Sequence, residues 1–117
     1  MKIICFDIDG VICLTKKKDY KNAKPLKSNI KTINYLYKKN FYIKLYTARG
    51  MGKFNGNIKL VQKAYFELTK KQMERWGVKY HELNLGKTSY DLIIDDRALF
   101  FKKSWKNQLL KKLKIKK

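Results

Sequence analysis

Acid is scarce in this chain. Nine Asp and Glu stand against 29 Lys and Arg, a formal charge of +20, so carboxylates set among apolar residues are conspicuous. Cysteine and histidine are scarcer still: Cys5, Cys13 and His81 are the whole supply. Neither a Cys-x-x-Cys spacing nor a paired histidine occurs, which argues against a zinc site and for two reduced thiols in a cytoplasmic protein. With one proline and six glycines the chain has no Pro/Gly-rich linker, and it shows no internal repeat. No apolar run reaches membrane-spanning length. Met-Lys, four apolar residues and then Asp7 do not read as a signal peptide. At 117 residues the expectation is a single domain, 1–117, with room for one core.

The basic excess has two readings. Lysine-rich surfaces bind phosphate backbones by releasing counterions. However, only Arg49, Arg75 and Arg97 are arginine, and arginine's planar fork suits phosphates better. Abundant Asn, Ile and Tyr accompany the lysines, the bias of an AT-rich genome. Charge of this kind speaks to association rather than to fold.

What is present is a repeated pattern of apolar runs that end in acid. Ile3-Ile4-Cys5-Phe6 leads into Asp7-Ile8-Asp9-Gly10-Val11. Such a run reads as a buried strand, and two carboxylates at its end are costly to bury without a cation between them. Asp91-Leu92-Ile93-Ile94-Asp95-Asp96 repeats the arrangement. The pattern predicts strands over 2–6, 42–46, 78–85 and 91–94. It predicts helices from Pro25 to about Lys39, from Ile58 to Trp76, and after Ser104 with Trp105, Leu109, Leu110 and Leu113 on the apolar side. Asn40, Gly77 and Gly86 act as stops. Gly10 to Lys24 and Gly50 to Asn57 read as loops, and the lysine-rich tail from Lys111 is expected to fray. Alternation of strand and helix implies a parallel sheet with ligands beyond its carboxyl ends. Asp7, Asp9, Thr47 and Asp95 all fall at those ends.

These segments resemble, in order, the signature motifs of the haloacid dehalogenase-like (HAD) phosphatase superfamily. Asp7-Ile8-Asp9-Gly10-Val11 matches the first motif, Thr47 in Tyr46-Thr47-Ala48-Arg49 the second, Lys87 the third and Asp95-Asp96 the fourth. The resemblance implies an α/β class: a three-layer Rossmann-like fold with a central, mostly parallel sheet flanked by helices. Neither insertion point holds a cap domain, so the chain resembles the capless group. The activity implied is hydrolysis of a phosphate monoester through an aspartyl-phosphate, with Asp7 as nucleophile and Asp9 as general acid and base. Thr47 and Lys87 would hold the phosphoryl group, with Ala48 and Arg49 as further substrate contacts. Mg²⁺ is the implied cofactor, on Asp7, Asp9 through its carbonyl, and Asp95, with Asp96 alongside.

Other roles are open for several of these residues. Thr47 also suits a helix cap, Arg49 a cap on the sheet edge, and His81 a structural place in its strand. Tyr65, Phe66 and Trp76 read as core or oligomer contacts. Stretches around Arg49, Glu67 to Gln72 and Gly86-Lys87 resemble short HAD proteins of capsule or lipopolysaccharide biosynthesis, which makes a sugar phosphate the leading substrate. Ile94 to Arg97 and the Tyr65-to-Trp76 helix resemble the phosphatase domain of polynucleotide kinase-phosphatases, so a nucleic-acid 3′-phosphate is the alternative. A noncatalytic nucleic-acid-binding protein is a third. Expected partners are a small phosphorylated substrate and a homo-oligomer that covers the open site, with no membrane; the Gly50 to Asn57 loop is the candidate lid.

Overall fold

β1 (Ile3–Asp7) opens the chain, followed by a short excursion with β2 (Cys13–Leu14) and β3 (Lys24–Pro25). Then come α1 (Lys27–Lys38), β4 (Tyr42–Thr47), α2 (Ile58–Arg75), β5 (Glu82–Leu85) and α3 (Trp105–Lys112). This is a computed structural model describing residues 2–115. Met1, Lys116 and Lys117, which close the expected 1–117 span and its fraying tail, lie outside the described residues.

The main sheet runs β1-β4-β5, all parallel. Register pairs Asp7 with Tyr46 and Thr47 with Leu85, so the three carboxyl ends finish side by side. β2 and β3 form a separate antiparallel pair, Cys13 opposite Pro25. Local chemistry sets the element ends. Asn57 caps α2 by accepting from the Leu60 N–H at 3.3 Å, and Gly77 at φ +70 turns the chain out of it. That turn lets the Val78 N–H reach back to the Met73 carbonyl at 3.0 Å, a helix-ending bond that needs a left-handed residue. Asn40, at φ +71, ends α1 in the same manner. At the end of α3, the Ile115 N–H donates to the Leu110 carbonyl at 2.9 Å, so the tail is bonded as far as Ile115 rather than frayed from Lys111.

The α/β class and the parallel, helix-flanked sheet are as expected, but among the described residues no third layer is seen. Successive strand residues point to opposite faces. The buried strand residues Phe6, Ile43, Leu45, Thr47 and Leu85 share one face. Both crossovers step the same way across the sheet, so right-handed connections put α1 and α2 on that face together. α3 joins them, with the Trp105 ring edge-on to Phe6 at 6.4 Å. Ile8, Ile12, Ile33, Leu36 and Met73 complete this core, each side chain contributing about 1.5–3 kcal/mol by burial. On the opposite face Ile3 and Cys5 are exposed, and Lys44 and Glu82 half-exposed.

The expected fourth strand is absent. Residues 86–101 contain no strand, and Leu92 and Ile94 are 81% and 95% exposed. An apolar run becomes a strand only where a neighbour completes its hydrogen-bond ladder, and here this segment lies apart from β1. The third strand is also shorter than expected. Val78 belongs to the turn that closes α2, and extended pairing starts at Glu82.

Candidate active site

A cleft of about 630 Å³ opens at the carboxyl ends of the sheet, with Asp7, Asp9, Arg49, Lys87 and Tyr65 among its lining. Asp7 ends β1. Its Oδ1 accepts the Ile8 N–H at 2.9 Å and its Oδ2 lies 3.4 Å from the Lys87 Nζ. Lys87 sits just past Gly86, which turns at φ +96 after β5. Its own N–H is anchored on the Thr47 carbonyl at 3.1 Å. Burial raises the Asp7 carboxyl above the usual range, and Lys87 offsets this only in part. Burial pulls Lys87 down, but hydrogen bonding to Tyr90 and the charge of Asp7 outweigh it and leave the ammonium above its ordinary value.

Asp9 lives in a different setting. A tight turn beyond β1, with the Ile12 N–H on the Ile8 carbonyl at 2.8 Å and Gly10 at φ +92, swings it inward. Its Oδ1 accepts from the Thr15 hydroxyl at 2.6 Å and from Arg49 Nη2 at 3.0 Å; Oδ2 accepts from Arg49 Nε at 3.0 Å and the Thr47 hydroxyl at 3.2 Å. Burial would raise this carboxyl, but the Arg49 hydrogen bonds and charge, joined by Thr15 and Thr47, hold it below the usual range. Arg49 is 1% exposed. Its Nη1 donates to Thr69 Oγ1 at 3.1 Å and Gln72 Oε1 at 2.5 Å, and Nη2 also reaches Cys13 Sγ at 3.6 Å. Burial and the nearby Asp9 charge push the Cys13 thiol up to about 11, so it stays a neutral thiol.

The structure therefore brings Asp7, Asp9, Thr47, Ala48, Arg49 and Lys87 to one place, but not all in the expected roles. Arg49, expected to contact substrate or cap the sheet edge, spends every N–H of its guanidinium on protein partners, since a guanidinium has only five. Thr47 is fully buried, with its hydroxyl on Asp9 and accepting the Arg49 N–H at 3.1 Å. His81 is structural: its Nδ1 accepts the Ile43 N–H at 3.0 Å, and its ring stacks between Tyr37 and Tyr42. Gly50 to Asn57 is a hydrogen-bonded turn whose Gly50, Gly52 and Lys53 line the cleft. Gly56 N–H bonds to Met51 O at 2.8 Å, and Gly50 presses so closely on Tyr65 that a Cβ there would lie 2.6 Å from its ring. Sequence reasoning missed Thr15, Thr69 and Gln72. For Thr69 and Gln72 the available signal was that they are polar yet fall on the stripe of α2 that carries Val61 and Met73, all four of them buried.

Asp95 and Asp96 are not part of this cluster. Both are exposed, and the Asp95 carboxylate accepts the Arg97 N–H at 2.8 Å. Among the described residues, no three His, Cys, Asp or Glu side chains come together as a metal site. Asp9's oxygens are already taken up by Arg49 and two hydroxyls. As placed, these residues do not supply the near-octahedral oxygen set that Mg²⁺ demands.

No protein-family model matches the chain, and no curated protein matches it. Solved structures do. An MCSG target protein from Vibrio cholerae aligns over 97% of this chain and 99% of its own, at 25% identity and a TM-score of 0.81. A chain of the Pnkp1/Rnl/Hen1 complex aligns over 93% of this chain and 33% of its own, at 16% identity and a TM-score of 0.54. The D,D-heptose 1.7-bisphosphate phosphatase from B. bronchiseptica, complexed with magnesium and phosphate, aligns over 98% of this chain and 65% of its own, at 16% identity and a TM-score of 0.51. The chain spans only part of the last two, and at such identity the likeness is one of fold. That fold is an α/β one, a parallel sheet flanked by helices.

Proposed function

We propose that this protein is a capless HAD-type phosphatase that hydrolyses a phosphate monoester through an aspartyl-phosphate. One observation carries the reading. Two carboxylates at one strand tip sit in different settings, Asp7 facing the cleft beside Lys87 and Asp9 clamped by Arg49. A more basic carboxylate is a better nucleophile. Asp7 Oδ2 attacks phosphorus, the ester oxygen leaves with the bonding pair, and Lys87 offsets the charge building on the phosphoryl oxygens. Water then attacks the phosphorus of the aspartyl-phosphate as the Asp7–phosphorus bond breaks, its proton passes to Asp9 and from there to the departed alkoxide, and phosphate leaves with both carboxylates restored. Asp9 is ionised and so can accept that proton, while the Arg49 clamp lowers its basicity.

Mg²⁺ is the proposed cofactor, supported by the magnesium bound in the heptose-bisphosphate phosphatase neighbour. Asp7, the Asp9 carbonyl, Asp95 and Asp96 are the groups that would hold it, and in this structure Asp95 and Asp96 stand exposed, outside the cluster formed by the first two. The sugar-phosphate substrate is supported by the same neighbour's name. A nucleic-acid end is the second reading, favoured by the Pnkp1 neighbour and the +20 charge. A second copy of the chain is the proposed cover for the cleft. No described helix is long and apolar enough to cross a membrane, and the free thiols of Cys5 and Cys13 support a cytoplasmic location.

The purified protein, given Mg²⁺ and a panel of sugar phosphates and 3′-phosphorylated oligonucleotides, is expected to release phosphate. Asp7→Asn is expected to lower turnover at least about 1,000-fold, as loss of a covalent nucleophile does. Release from the oligonucleotides alone, weakening steeply with salt, would select the second reading. No release above the Asp7→Asn background, with oligonucleotide binding that survives EDTA, would leave a noncatalytic binding protein.

A further inference from the structure

α2 buries an amide where an apolar side chain would be the simpler choice. Gln72 is 1% exposed and lies next to the fully buried Met73 on the core side of the helix. Burying an unbonded amide is costly, yet both ends of this one are satisfied. Its Oε1 accepts from Arg49 Nη1 at 2.5 Å, and its Nε2 donates to the Tyr20 carbonyl at 2.5 Å. Thr69, one helical turn earlier, takes the other bond from Nη1. The Tyr20 ring lies over the same guanidinium, 5.0 Å from Arg49 Cζ, and abuts Tyr65 edge-on at 5.3 Å. One amide thus joins three pieces of chain distant in sequence: α2, the tip of β4 and the excursion between β2 and β3.

The consequence falls on Asp9. Arg49 grips the Asp9 carboxylate from one side of its fork, and the far side is held only by Thr69 and Gln72. A planar fork has one orientation in which both sides are satisfied. We propose that Gln72 is a positioning residue: acting through Arg49, it fixes where the Asp9 carboxylate points, and through Tyr20 it pins the excursion over the guanidinium. This rests on the phosphatase reading, in which Asp9 takes the proton from the attacking water.

Two measurements test it. The first is independent of turnover. In the native protein the Arg49 guanidinium is expected to show resolved, slowly exchanging Nη resonances in ¹⁵N-edited spectra, because both Nη groups are locked. In Gln72→Met, which fills the space without the acceptor, these are expected to collapse to an averaged signal while Asp7-side amide resonances stay in place. The second uses p-nitrophenyl phosphate and rapid quench. Gln72→Met is expected to slow hydrolysis of the aspartyl-phosphate by about 10- to 100-fold, the usual cost of a small misplacement, and its formation far less. Phosphoenzyme then accumulates as a burst that the native protein lacks. Thr69→Val, which removes one bond and leaves Gln72, gives a smaller change in the same direction and serves if Gln72→Met fails to fold. A folded Gln72→Met with unchanged Arg49 resonances overturns the proposal, as does an equal loss in both steps. Loss of the locked Nη signals in a protein that turns over no ester supports the positioning geometry and sinks the phosphatase reading alone.

Discussion

Asp7-Asp9 and Asp95-Asp96 have the same prelude, an apolar run that ends in acid, and opposite fates. The first run pairs along its length with β4, and its acids meet Lys87 and Arg49. The second run is exposed, and its acids face solvent. The difference lies in the neighbours. Ile4 and Phe6 stand in register with Ile43 and Leu45 over a shared core, whereas Leu92, Ile93 and Ile94 have no ladder to complete. Pattern proposes a strand, and pairing decides it.

The contrast can be broken most severely at Arg49. Arg49→Ala strips the buried partner from Asp9 and is expected to cost about 3–5 kcal/mol, the range for orphaning one half of a buried pair, read from urea unfolding at pH 7. A cost below about 1 kcal/mol would mean that Asp9 is not held as described.

A smaller effect separates the two carboxylates of the first pair by pH. Asp9 is held below its ordinary value, so its stabilisation is full above the usual carboxylate range and is lost as pH falls through the lowered folded value. Asp7 is raised, so its contribution is full below the usual carboxylate value and is lost as pH rises from there through its raised folded value. At pH 7, Asp9→Asn is therefore expected to lose about 1–3 kcal/mol, as for a hydrogen bond to a charged group, and Asp7→Asn to gain stability. Denaturant midpoints followed from pH 3 to 8 check both signs; equal effects of the two variants would refute the assignment.

The smallest effect is the sharpest test of the second run. Ile94→Ser, at a fully exposed position, is expected to change stability by less than about 0.5 kcal/mol. A loss of 2 kcal/mol or more would show that this segment packs against β1 in solution.

Where local chemistry decides, the sequence was readable. Asn40, Asn57, Gly77 and Gly86 end or start elements where their side chains or backbone freedom require. Asp7, Asp9 and Lys87 gathered at one place because the tips of parallel strands converge, whatever the distance along the chain. The Arg49 network was not readable, because its partners come from α2, where polar residues on a buried stripe look like interruptions of amphipathicity until the guanidinium they serve is in view. The layer count failed for a related reason: helices on one face and a free strand edge are properties of the assembled sheet.

That free edge gives the lysine excess a colloidal consequence. The free edge of β1, which carries the exposed Ile3, is a template for edge-to-edge growth of sheets between molecules. At +20, molecules repel one another before such edges can touch. Concentrated salt, with a screening length of about 3 Å at 1 M, removes that guard. The lysine excess would thereby double as the protein's protection against its own edge.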